Sequence, residues 1–150
     1  MTGLLESGFL EKKKVTVSKL AIIGSPYQFN QEMFDDFQKW KHRLGKEVQV
    51  LNFVGSFAGK SDGIVPLSSA QAAQSIFDNQ AYTEVNLNGR KAHHSALPTN
   101  PDLVKQLKSI FESIIKLHNF GYVILFVLLQ SLSKYGTFLV SDYTYLRRIY

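Results

Sequence analysis

Residues 48–66 end in VGSFAGKSDGIVP and hold the residue types from which three different chemistries could be built. The first is a phosphate cradle, Gly55-Ser56-Phe57-Ala58-Gly59-Lys60-Ser61. Such a loop needs four residues between its glycines so that backbone N–H groups wrap the phosphates, and a helix that starts at Lys-Ser. Here three residues intervene, and Asp62-Gly63 and Pro66 oppose a helix at that point. The second is a nucleophilic serine, because Gly59-Lys60-Ser61-Asp62-Gly63 spells G-x-S-x-G. That pattern works only on an abrupt strand-to-helix turn, whereas the strand is expected to stop near Val54 and the next helix to begin well after Ser61. Both matches read as accidental. The third takes Asp62 as an acid after a strand and pairs it with His94 downstream. A carboxylate so placed fixes the imidazole tautomer and stabilises the imidazolium when the histidine takes a hydroxyl proton. His93, His42 and His118 read as solvated side chains. The chain has no cysteine, which excludes a thiol nucleophile, a disulfide and a Cys-type zinc site. No metal or cofactor is expected.

The elements that must position this pair follow from apolar spacing. Residues 4–14 read as the end of a helix with a lysine run at its C-terminus. Residues 19–23 form an unalternating apolar run stopped by Gly24-Ser25-Pro26, the mark of a strand buried on both faces. Met33, Phe34, Phe37, Trp40 and Leu44 give a helix over 30–44, with Gly45 as its stop. Residues 48–54 make a second strand. After Pro66 a helix is expected over 68–77, capped by Ser68 or Ser69. A third strand spans 82–87, with a turn at Asn88-Gly89. A loop with both histidines then leads to a final helix capped by Asn100, with Pro101 first and Leu103, Leu107, Ile110, Phe111 and Ile114 on one face. Helix and strand alternate, so the fold class is α/β with a mainly parallel sheet.

Composition bounds the rest. The 150 residues are 45% apolar, 19% charged and 13% aromatic, one globular domain's worth of chain. The formal charge is +5, but basic residues are scattered apart from Lys12-Lys13-Lys14 and Arg147-Arg148. No basic stripe interleaves with aromatics, so no nucleic-acid partner is expected. The start lacks a basic n-region and a long apolar core, so it does not read as a signal peptide. The longest apolar run, 122–129, falls short of the roughly 20 residues that span a bilayer, so no transmembrane span is expected and the chain as written reads as cytoplasmic. Beyond about residue 116 the character changes. Asp142 is the only acid there, and the stretch fits either one buried helix or a hairpin of 122–129 with 137–143.

In the α/β-hydrolase fold the triad runs serine, then acid, then histidine along the chain, and Asp62 and His94 stand in the last two places. Four segments carry a closer resemblance: Lys19-Leu20-Ala21-Ile22-Ile23-Gly24-Ser25-Pro26-Tyr27, Val50-Leu51-Asn52-Phe53-Val54-Gly55, Ser61-Asp62-Gly63-Ile64-Val65-Pro66-Leu67-Ser68-Ser69-Ala70 and Ala92-His93-His94-Ser95-Ala96-Leu97. Together they resemble the C-terminal half of a family of α/β-hydrolases known as cell-surface hydrolases in lactobacilli and related Gram-positive bacteria, often labelled a domain of unknown function. The resemblance covers about residues 4–115. It implies a partial α/β-hydrolase fold, Asp62 as triad acid, His94 in an H-S-x-L pattern as triad base, and esterase or lipase-like action on a small-molecule or lipid ester. It also implies a surface or secreted setting for many members.

The sequence departs from that family in one important way. The family carries a G-H-S-M-G type elbow before the strand that here is 19–23, and Ser7, Ser18 and Ser25 lack its glycines. The expectation is therefore a truncated hydrolase domain over 1–116, without nucleophile, early strands or oxyanion-hole loop, followed by an apolar tail over 117–150 with no family counterpart. Such a chain should be inactive alone. Two alternatives compete: a hydrolase recruiting Ser61 or Ser95, and a non-enzymatic interaction half-domain. The latter would be completed by a partner chain, or self-associate, through the sheet edge the missing strands leave exposed. A tail lying on a membrane is disfavoured by its lack of a basic amphipathic face.

Overall fold

Apolar runs bounded by glycine and proline become strands covered on both faces. In the computed structural model, which describes residues 7–8, 12, 16–28, 31–57, 59–117, 123–133 and 136–140, β1 (Thr16–Ile23) and β2 (Gln49–Ser56) pair in parallel from Lys19↔Gln49 to Ile23↔Phe53. Side chains alternate between the two faces. Leu20, Ile22, Val48 and Val50 enter one apolar cluster, while Ala21, Ile23, Leu51 and Phe53 enter another on the opposite side. β3 (Ala81–Asn88) lies parallel to β2 along its whole length.

Helices cover both faces. α1 (Gln31–Trp40) places Phe34, Phe37 and Trp40 on the first cluster. The expected helix over 30–44 ends earlier, because Lys41–Arg43 tightens into a 3-10 turn and Leu44 is extended, a common way to close a helix. The expected helix over 68–77 is two short ones, α2 (Leu67–Gln71) and α3 (Ala73–Ile76), broken at Ala72. Neither Ser68 nor Ser69 caps it. Pro66 is the N-cap, its carbonyl accepting from Ser69 and Ala70 N–H. The Ser69 hydroxyl and carbonyl instead hold the N–H groups of Gln28 and Tyr27 after β1. α4 (Pro101–Leu117) packs Leu103, Leu107 and Ile110 on the second cluster. Asn100 caps it as expected, accepting the Asp102 N–H at 2.9 Å.

The tail resolves as a hairpin. β4 (Val123–Ser133) and β5 (Gly136–Val140) pair antiparallel, and β4 also lies parallel to β1 from Thr16↔Val123 to Ile23↔Leu129. The sheet order is β3-β2-β1-β4-β5. The described part of the tail, left open as helix or hairpin, joins the main sheet, and the β1 edge that the interaction alternative expected to stand exposed is hydrogen-bonded to β4. Most of the expected helix over 4–14, and His118, lie outside the described residues. No described helix is long and apolar enough to cross a membrane.

Candidate active site

The chemistry gathers where the parallel strands end. β2 stops at Ser56, and the chain folds back on itself through an antiparallel bridge between Ser61 and Pro66. Phe57 N–H donates to the Ser61 carbonyl and Leu67 N–H to that of Lys60. Asp62 heads the reversal. Its Oδ1 accepts the N–H groups of Ile64 (3.0 Å) and Val65 (2.6 Å), while its own N–H donates to the Val65 carbonyl. Gly63 has φ +94°, a left-handed conformation that side chains resist. This is a self-contained Asx turn, and it leaves Oδ2 pointing away from the reversal.

His94 arrives from the other side. β3 ends at Asn88, Gly89 turns at φ +88° with its N–H donating to the Ser56 carbonyl, and a 3-10 turn over Arg90–Ala92 follows. His94 Nδ1 lies 2.7 Å from Asp62 Oδ2, and His94 N–H donates to the Asp62 carbonyl at 2.8 Å. The two residues are joined through both side chain and main chain. Asp62 is only 1% exposed and the His94 side chain 10%. Burial alone would raise the Asp62 carboxyl. The hydrogen bonds from His94, Val65 and Ile64, with the charge of His94, outweigh burial and hold it below its ordinary 3.8. An ionised carboxylate only accepts, so Nδ1 carries the proton of this hydrogen bond.

Two glycines make this meeting possible: Gly24, a strand stop in the sequence pattern, and Gly55, there the first glycine of the candidate phosphate cradle. A Cβ on Gly24, which has φ +56°, would lie 3.3 Å from Asp62 Oδ2, 3.5 Å from His94 Nδ1 and 3.1 Å from Leu97 Cδ2. A Cβ on Gly55 would strike the Ala92 carbonyl and come within 2.9 Å of Asp62 Cβ. Leu97, 1% exposed, lies against both glycines. Asn100 has a second task beyond its cap, donating from Nδ2 to the Lys91 carbonyl at 3.1 Å. The legible signal for the glycines was a Gly directly after, or inside, an apolar strand.

The other candidates fall elsewhere. Gly55 lies within β2 and the next helix starts only at Leu67, so neither a phosphate loop nor an elbow forms. Ser61 Oγ accepts the Gly63 N–H, and Ser95 Oγ pairs with His93 Nδ1 at 3.0 Å. His93, half-buried, sits edge-on to Phe57 and over Gly63. His42 is exposed. Among the described residues no three His, Asp or Glu side chains gather as a metal set.

An acid after one parallel strand and a histidine after the next, both at carboxyl ends under a helical layer, is the arrangement of the α/β hydrolases. The description "Alpha/beta hydrolase of unknown function (DUF915)" matches residues 7–114, and the chain belongs to that family. A candidate cell surface hydrolase from Lactobacillus plantarum WCFS1 is similar at 28% identity and TM-score 0.55, over 80% of this chain and 50% of that one. The product of the gene lin2722 from Listeria innocua is similar at 26% identity and TM-score 0.53, over 83% of this chain and 56% of that one. The chain thus spans about half the length of these two structures. No curated protein matches it.

Proposed function

We propose that Asp62 and His94 are the acid and base of a Ser-His-Asp site for esterase or lipase-like hydrolysis of a small-molecule or lipid ester. The observation that carries this reading is the 2.7 Å Nδ1–Oδ2 pair, with Oδ1 already held by two amides. A carboxylate anchored in this way fixes one tautomer. His94 Nε2 then takes the serine Oγ proton as Oγ attacks the ester carbonyl, and returns it to the departing alcohol. Water, deprotonated by the same nitrogen, releases the acid and restores the serine.

The serine in this reading comes from outside these 150 residues, whose one G-x-S-x-G, at 59–63, lies on no strand-to-helix turn. By themselves they are expected to hydrolyse nothing. The test is fluorophosphonate labelling of the full chain together with p-nitrophenyl ester turnover. No labelled serine and no turnover is the expected result. One labelled serine, lost in His94→Ala, would overturn the inactivity while keeping the acid–base pair. Labelling indifferent to His94→Ala would overturn both. The pair is also read directly by proton NMR, as a far-downfield His94 Nδ1–H resonance that disappears in Asp62→Ala; its absence from the unmodified chain would sink the assignment.

A further inference from the structure

The feature that neither the acid–base pair nor the family accounts for is the hairpin. A strand parallel to β1 cannot be reached by a tight turn and needs a crossover of a dozen or more residues. α4 supplies it. Its 17 residues rise about 25 Å at about 1.5 Å each. That matches the roughly 26 Å of an eight-residue strand such as β1 at about 3.3 Å each. The helix therefore returns the chain from the carboxyl end of β3 to the amino end of the sheet, and residues 118–122 join it to β4. The crossover skips β2 and β1 and lands on the far side of β1.

The three edges concerned differ in how they tolerate exposure. β3 carries Thr83, Glu84, Asn86 and Asn88, polar groups that discourage pairing by another chain. β5 is an outer strand of five residues, too short to template much. β1 is the opposite, with Leu20, Ala21, Ile22 and Ile23 all buried on the two faces. Left open, it would be a long apolar edge of the kind that recruits foreign strands.

We propose that the β4–β5 hairpin is a strand cap that the chain supplies to its own β1 edge, withholding that edge from a second polypeptide. β4 also runs past its last β1 partner, Leu129, to Ser133. It ends on the side of Gly24, the residue that abuts the Asp62–His94 pair. A strand bringing a serine to that pair along β1 must first displace β4. This consequence rests on the acid–base reading proposed above; the capping does not.

The absence of cysteine permits a clean trap in the full-length chain. Lys19 and Leu125 are register partners, and neighbouring strands lie about 4.8 Å apart, within the Cα separation a disulfide accepts. Mild oxidation of Lys19→Cys/Leu125→Cys should give an intrachain disulfide, with loss of both free thiols at monomer mass. A disulfide joining two chains would overturn the cap by showing an exchanged hairpin, and persistent free thiols would overturn the β1–β4 pairing itself. Val127→Pro, which breaks the β4 ladder opposite Ala21, should shift the sedimenting species from monomer to dimer or larger at the same concentration. A folded Val127→Pro chain that stays monomeric would overturn the withholding role. The trap decides the cap even where the proline variant fails to fold. It reads strand position without ester chemistry, so a failed trap leaves the Asp62–His94 reading untouched, and a labelled serine leaves the cap untouched.

Discussion

The two loops that meet at the carboxyl ends of the strands are built on different principles. The Asp62 loop is local. Its bridge joins Ser61 to Pro66, and the carboxylate is held by amides two and three residues away. The His94 loop has long-range supports. Gly89 N–H reaches Ser56, His94 N–H reaches Asp62, Leu97 packs against Gly24 and Gly55, and the loop's far end is tied through Asn100 to α4. The acid is thus positioned by its own turn, and the histidine by the rest of the molecule. Perturbations in the second set should misplace the base while leaving the acid where it is.

The largest effect is expected from Leu97→Ala. It removes a fully buried side chain that packs against Gly24 and Gly55 and should cost about 3 kcal/mol, read as a lowered urea midpoint. If the comparison holds, hydrogen exchange should accelerate at the His94 amide before it does at Ile64 and Val65. Equal acceleration at all three would break it. Gly55→Ala comes next. Its methyl meets a backbone carbonyl, which cannot rotate aside, so about 2 kcal/mol is expected, together with weakening of the downfield Nδ1–H signal. Asn100→Ala loses a helix cap and the tie to Lys91, costing about 1 kcal/mol. The Asp62 turn should be unaffected in that variant, as read from the amide shifts of residues 62–65.

The smallest effect is a pH dependence. The Asp62 carboxyl sits below its ordinary 3.8 in the folded chain. Its contribution to stability is therefore present above pH about 3.8 and is lost as pH falls through the lowered folded value. Stability measured against pH should fall more steeply in this acid range for the native chain than for Asp62→Asn. Identical profiles would mean that the carboxylate is not held by the amides and imidazole that surround it.

Much of this was legible in the chain itself. Residues 19–23 read as a two-sided strand because no polar alternation interrupts them, and 48–54 as a second strand; both lie in the sheet core. Asn100-Pro101 marked the start of α4 by local chemistry alone. Asp62 and His94 could be picked out because each follows a strand. The misses share a cause. Ser69 looked like a cap, but its hydroxyl is engaged by Gln28, 41 residues away in sequence. Gly24 and Gly55 looked like punctuation, since nothing local reveals which atoms will press against their missing Cβ. The tail left helix and hairpin both open, because an apolar run without a period fits either until a neighbouring edge is available.

By itself, then, the sequence determined the strands and helices of the described residues before the tail, that the sheet is mainly parallel, and that an acid and a histidine follow successive strands. These are matters of apolar spacing, capping and turn chemistry over a few residues. Only the tertiary structure decided that Nδ1 of His94 meets Oδ2 of Asp62 across 32 residues of chain, that two glycines leave the room for it, and that β4 takes the edge of β1. Apolar spacing reports that a face is buried. It carries no information about which element buries it, because every apolar neighbour satisfies the same pattern.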